Sequence, residues 1–333
     1  MRFIHLFLET GLLAVVVSCN NSTQPKPENN INPVPEPQVV AASFNVDTAF
    51  AFVKKQASFG PRVPNTDEHK KCEAWLESTM RRFTKDVLVQ SFQMKAYNGV
   101  ELELKNIIGS FNPEAKTRIL LCSHWDSRPY ADNDPDVSKH RTPIEGVNDG
   151  ASGIGILLEA ARQLSLKAPN VGVDLLLLDG EDYGAPQDEK HAGVEDDWAL
   201  GSQYWSKNPH KAAYTARYGI LLDMVGAENA TFKLEATSMY YAPDIMNKVW
   251  RIAAKIGYSS YFLAENSNGI TDDHVYINQI RQIPTIDIIQ NDPSTQSGFY
   301  KYWHTMNDNL AGIDKQTLKA VGETILTSVY LEK

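Results

Sequence analysis

The chain is short of cysteine, of basic charge and of long apolar runs, and each shortage removes a class of protein. Its three cysteines among 333 residues, Cys19, Cys72 and Cys122, are too few for a disulfide-built fold. Their spacing matches neither CxxC nor any thiolate zinc site. Cys72 falls in an expected helix and Cys122 in an apolar strand, so both read as buried thiols. Lys and Arg number 32 against 41 Asp and Glu, a formal charge of −9, and no basic patch interleaves with aromatics. That balance argues against a nucleic-acid partner. The apolar stretch at residues 6–17 is interrupted by Glu9, Thr10 and Gly11, too short to span a bilayer comfortably. Absent too are the GxxxxGK[ST] and GxGxxG phosphate loops and the GxSxG elbow of serine hydrolases.

At the N-terminus, Arg2, the short apolar core and Val16-Val17-Ser18-Cys19 follow the order of a secretory signal. A small residue before Cys resembles the bacterial lipoprotein cleavage box, with Cys19 as the lipid-bearing first residue of the mature chain. Asn and Pro crowd residues 20–37 with hardly any apolar side chain, a composition that stays extended. The expected division is a signal peptide over 1–18, a tether over 19–41 and one catalytic domain over 42–333. The expected location is the bacterial cell envelope, lipid-anchored and facing the periplasm.

Beyond the tether, hydrophobic periodicity predicts helices at 47–59 and 67–83, then 151–166, 198–206, 243–256 and 315–330, the last behind an Asp314 cap. Apolar runs predict strands at 106–111, 118–123, 173–178, 218–222 and 285–289. The first two flank an Asn112-Pro113-Glu114 turn and read as a hairpin. The Leu run at 173–178 reads as a strand covered on both faces. The fold class is therefore α/β, a single-domain sandwich with a central mixed, mostly parallel sheet flanked by helices. Long loops at 130–147 and 183–197 are expected to wall a site. His69, His140, His191 and His210 are expected to face solvent.

Chemistry-bearing residues cluster where apolar runs end, which in such sheets is the working crevice. His124 and Asp126 stand two apart at a strand end, so both face one way and the carboxylate can orient the imidazole. Such a pair alone also occurs in plain loops. Asp149 sits in a glycine-rich loop, 146–153, whose small residues allow a sharp bend. Glu181 and Asp182 follow the Leu run, where carboxylates are costly to keep without a metal or a proton to handle. Asp223 closes the next strand, and His304 follows Trp303. Oxygen and nitrogen donors on rigid strand ends suit a zinc ion that keeps a position open for substrate.

The order His-x-Asp-Ser, Asn-Asp-x-Ala-Ser-Gly, Asp-Gly-Glu-Asp, Leu-Asp and His-Thr resembles the zinc aminopeptidase clan. Thr271-Asp272-Asp273-His274, Trp303-His304-Thr305-Met306-Asn307-Asp308-Asn309 and Gly201-Ser202 resemble glutaminyl cyclases within it, the enzymes that form N-terminal pyroglutamate. The resemblance implies one Zn2+ per chain on Asp149, Asp182 and His304, with Glu181 as general acid/base. It implies Asp223 and Asp272 as a hydrogen-bond network beside Glu181, and Trp303 and Phe299 as substrate contacts. His124 and Asp126 become second-metal or hydrogen-bonding residues. Two departures stand out. Asp182 replaces the Glu of animal members, and the tryptophan their loop carries cannot be assigned in 183–197. The implied partners are peptides or proteins with N-terminal Gln. A dinuclear aminopeptidase remains open, with His124 and Asp223 on a second zinc, Asp149 bridging and Glu181 deprotonating water. So does a binding lipoprotein that kept the fold, against which an intact Glu181 argues.

Overall fold

A computed structural model describes residues 38–186, 189 and 196–333. The expected signal peptide, Cys19, most of the tether and His191 lie outside the described residues. Residues Gln38–Lys333 form one compact unit. In chain order its elements are α1 (Val46–Ala57), α2 (Asp67–Arg81), β1 (Asp86–Lys95), β2 (Glu101–Phe111), β3 (Arg118–His124), α3 (Ala151–Leu166), β4 (Gly172–Leu178) and α4 (Leu200–Lys207). Then come β5 (Tyr218–Asp223), β6 (Phe232–Leu234), α5 (Ala236–Tyr241), α6 (Pro243–Lys255), β7 (Phe262–Asn266), α7 (Asp273–Tyr276), β8 (Thr285–Ile289) and α8 (Lys315–Tyr330).

The main sheet runs β1-β2-β4-β3-β5-β8. β4, β3, β5 and β8 are parallel neighbours, while β1 and β2 add antiparallel edges. The fold is the mixed, mostly parallel sandwich that the apolar runs predict. The expected hairpin between 106–111 and 118–123 is not formed, because β4 inserts between β2 and β3. β4 is buried along its whole length and needs a neighbour on each side to satisfy its backbone, so the Asn112-Pro113-Glu114 turn joins strands that never pair. At that turn Arg118 grips Asp174 of β4 through Nε and Nη2 at 2.6 and 2.7 Å. Strand β1 is absent from the sequence reading because an edge strand that is mostly solvated shows little apolar pattern.

Helix starts follow their caps. Asn45, Thr66 and Asp314 each accept a backbone N–H of the first turn, the usual satisfaction of orphan donors. Helix α3 is buried almost all round and lies so close to the sheet that a Cβ on Gly153 would stand 2.7 Å from the Leu222 carbonyl. That approach fixes the start of α3, and with it the Asp149 loop, against the ends of β3 and β5.

Cys72 and Cys122 are buried free thiols, as expected. Two histidine expectations fail. His69 is buried, hydrogen-bonded to Asp179 at 2.8 Å and stacked on Trp125. The His210 imidazole is enclosed by Trp205 and Tyr214, and burial lowers its pKa to about 4. Helical and loop context hid both, since each imidazole is covered by residues distant in sequence or by the next turn.

Candidate metal centre

The carboxyl ends of the strands converge as the parallel topology requires. His124 ends β3, Glu181 and Asp182 follow β4 after a turn at Gly180, and Asp223 ends β5. Asp149 comes from the loop before α3, and His304 from the segment after β8. His304 Nε2 lies 3.2 Å from Asp182 Oδ1 and 3.7 Å from Asp149 Oδ2. His124 Nε2 lies 3.0 Å from Asp149 Oδ1 and 3.3 Å from Asp223 Oδ1. Two donor sets therefore share Asp149: Asp149–Asp182–His304 and His124–Asp149–Asp223, the donor atoms of each within 4.8 Å of one another. Both carboxylate oxygens of Asp182 are buried without a hydrogen-bond donor. A buried carboxylate with open lone pairs, beside a second carboxylate and an imidazole, fits a divalent cation such as zinc.

Each donor is held from behind. Asp126 accepts the N–H groups of Glu181 and Asp182, both at 3.1 Å, and its Oδ1 lies 3.4 Å from His124 Nδ1. It thus orients one imidazole and the acidic turn together. Asp308 accepts Asn148 N–H at 2.8 Å and Asp149 N–H at 3.0 Å, which locks the glycine-rich loop. Burial, with Asp149 nearby, pushes the Asp308 carboxyl up to about 7. His304 itself sits at φ 54°, a left-handed conformation unusual for a residue with a Cβ. Its carbonyl accepts Asn133 N–H at 3.1 Å.

Three site residues escaped the sequence reading. Asp132, in the long loop at 130–147, lies 3.3 Å from His304 Nδ1. Arg128, buried, forks onto Asp132 at 2.8 and 2.7 Å and donates to the carbonyls of Asp182 and Gly184. Trp198 carries that guanidinium 4.6 Å from its ring and lies nearly parallel to His304, 5° between planes. It stands directly after the 183–197 loop, and its indole lines the site. Loop length was a signal for Asp132 alone, since Arg128 and Trp198 stand just outside the two long loops.

A pocket of about 220 Å³ opens on these donors, lined by Glu181, Asp182, Asp149 and His304, with Asp223 and Asp272 on one side and Trp198, Phe299, Ile270 and Trp303 as apolar walls. Trp303 stacks on His304 at 3.7 Å and tilts against Phe299 at 4.9 Å. Burial raises the Glu181 carboxyl well above the ordinary carboxylate range; His124 opposes this, and the charges of Asp272, Asp182 and Asp273 add to it. Asp223 is pushed up to about 7, by burial above all, and its hydrogen bond is to His124. Asp272 caps α7 through its own carboxylate.

Comparison with known proteins agrees with this geometry. A family model described as peptidase family M28 matches residues 106–329. The crystal structure of Bacteroides thetaiotaomicron glutaminyl cyclase bound to N-acetylhistamine is 52% identical, covering 88% of this chain and 100% of that one, with a TM-score of 0.86. A Zn-dependent exopeptidase from Parabacteroides distasonis is 51% identical over 88% of this chain and 100% of that one, also at 0.86. A glutaminyl-peptide cyclotransferase of Drosophila melanogaster is 27% identical over 77% of this chain and 73% of its own. A crevice of acidic and imidazole donors on this sheet, and a family match running from β2 into α8, lead to one conclusion: the chain belongs to peptidase family M28.

Proposed function

We propose that this chain is a zinc-dependent glutaminyl-peptide cyclotransferase, converting the N-terminal Gln of peptides and proteins to pyroglutamate with release of ammonia. The observation that carries the reading is a pocket sized for one side chain, walled by indoles, set directly on the Asp149, Asp182 and His304 donors with Glu181 beside them. Relatives named as glutaminyl cyclases support the same activity.

Asp149, Asp182 and His304 would hold one zinc ion, which supplies Lewis-acid polarisation of the substrate's γ-carboxamide. The chain does the rest. Glu181 takes a proton from the substrate α-amine as that nitrogen bonds to the carboxamide carbon. It then delivers the proton to the amide nitrogen, and ammonia leaves as the old C–N bond breaks. A carboxyl with raised proton affinity suits both halves of that transfer. Asp272 raises that affinity by its charge, and Asp223 extends the acidic group to His124. Because the nucleophile belongs to the substrate, the site must mainly orient it, and Trp303, Trp198 and Phe299 offer flat, rigid walls for a closing five-membered ring.

A dinuclear aminopeptidase is the second reading, favoured by the His124–Asp149–Asp223 donor set. Incubating the protein with a Gln-initiated peptide and reading the product mass separates them. Loss of ammonia establishes the cyclase, and loss of a whole residue establishes the peptidase.

The proposal extends to location: lipid at Cys19, with the enzyme tethered to the bacterial envelope on its periplasmic side. The support is the order of residues 2–37, basic, apolar, small-Cys, then Asn/Pro-rich. Among the described residues no helix is long and apolar enough to cross a membrane.

A further inference from the structure

The pocket at the metal centre has room for about one residue, yet the substrate of a peptide cyclase continues beyond it. The chain downstream of the cyclising Gln must leave through the mouth and lie on the adjoining surface. A second depression, of about 380 Å³, meets that mouth at Ile270 and Thr271, which line both. Its far wall is Tyr240 and Tyr241 at the end of α5, a perpendicular ring pair 4.8 Å apart. Tyr240 is 79% exposed, more than any other large apolar side chain among the described residues. Tyr241 is half-buried. An aromatic pair with one ring fully open beside a site is the kind of surface that binds chains, since rigid rings contribute contact area at little entropic cost.

The two walls are one construction. Glu235, buried, accepts the N–H groups of Thr237 and Ser238 to cap α5, and it also accepts Ile270 N–H at 2.8 Å. Thr237 Oγ1 donates to the Ile270 carbonyl at 3.1 Å. Gln279 Nε2 donates to the Tyr241 hydroxyl at 3.1 Å. Both backbone groups of Ile270, one of the two residues shared with the metal pocket, are thus pinned to the start of the helix that presents the tyrosines, so the groove is organised before any peptide arrives.

We infer that the Tyr240–Tyr241 groove is the subsite for the residues that follow the N-terminal Gln, and that it takes apolar and aromatic side chains there. The inference rests on the cyclase reading and deepens it. A third depression, reached past Trp303 and lined by Asn133, Thr295, Ser297 and Lys301, is more polar and offers no exposed aromatic ring.

The test compares a Gln-initiated dipeptide amide with Gln-initiated tetrapeptides carrying Phe or Ser at the third and fourth positions. The wild-type enzyme should show a KM roughly 3–10-fold lower for the Phe peptide than for the Ser peptide, with similar kcat. In Tyr240→Ala/Tyr241→Ala that preference should vanish while the dipeptide is turned over as before. A preference that survives the double substitution, or one abolished instead by Lys301→Ala, overturns the groove assignment. Calorimetric Kd values for the same peptides on a Glu181→Gln background read the groove without turnover. Wild-type protein that cyclises none of the peptides would therefore sink the cyclase reading alone, with the Kd ratio still deciding the groove.

Discussion

Replacing Glu181 with Gln removes one titrating proton and almost no volume, which makes it the sharpest probe of single residues here. Neither metal donor set includes Glu181, and its N–H contact with Asp126 belongs to the backbone. Zinc content and melting temperature should therefore hold while turnover falls by on the order of 10²–10⁴, the usual range for a positioned acid/base. Full activity in that variant would remove the mechanism. At this scale the sequence was most legible, because Glu181, Asp182 and Asp223 stand at or just past the ends of apolar runs, Asp149 lies in a glycine-rich loop and His304 follows Trp303, and the structure brings all five to one crevice. Asp132, Arg128 and Trp198 were not legible. They act through contacts across long separations, Asp132 with His304 and Trp198 with Arg128, and nothing local distinguishes them from ordinary loop residues.

Among the elements, α5 depends on a single buried carboxylate. Burial by itself would raise the Glu235 carboxyl, but hydrogen bonds and charge from His274 and bonds from Ser238 outweigh it and hold the pKa at about 2. A depressed pKa means the folded form favours the anion. Its contribution is complete above the ordinary Glu range near 4.5 and is lost as pH falls toward 2. That contribution is on the order of 3 kcal/mol. Urea melts of wild type and Glu235→Gln between pH 6 and 2 should show the variant less stable at pH 6, with the gap closing as acid is added. A pH-independent gap would mean that the Glu235 charge contributes nothing. The sequence reading missed α5 and β1 for related reasons: one is six residues long, the other lies at a solvated sheet edge, and neither length nor pattern rises above a loop. The hairpin expected at Asn112 failed because strand pairing is a long-range choice, which local turn chemistry does not decide.

For the molecule as a whole, metal content decides between the two readings of the site. One tightly held zinc per chain, lost together with activity in Asp182→Ala, is the expected result of elemental analysis. Two zinc ions, the second lost in Asp223→Ala, would establish the dinuclear centre. Location is tested apart from chemistry. Cys19→Ser expressed in a bacterial host should move the protein from the membrane fraction to the soluble one with kcat unchanged, because the Asn/Pro composition of residues 20–37 decouples an anchor from the active site. A membrane-bound Cys19→Ser protein would count against the lipid.

By itself the sequence determined the class of fold and the class of donor. Apolar runs of strand length alternating with amphipathic helices admit few architectures besides a covered sheet, and carboxylates at the ends of those runs are too costly to bury without a cation or a proton to handle. Tertiary structure decided what those signals could not hold. It placed β4 between β2 and β3, laid Trp198 parallel to the His304 ring and set the Arg128 guanidinium over Trp198. It also set α5 against Ile270 so that a groove continues from the pocket. Each of these is a contact between segments far apart in the chain, and such contacts depend on how the whole core closes, while periodicity and turn chemistry report only on neighbours.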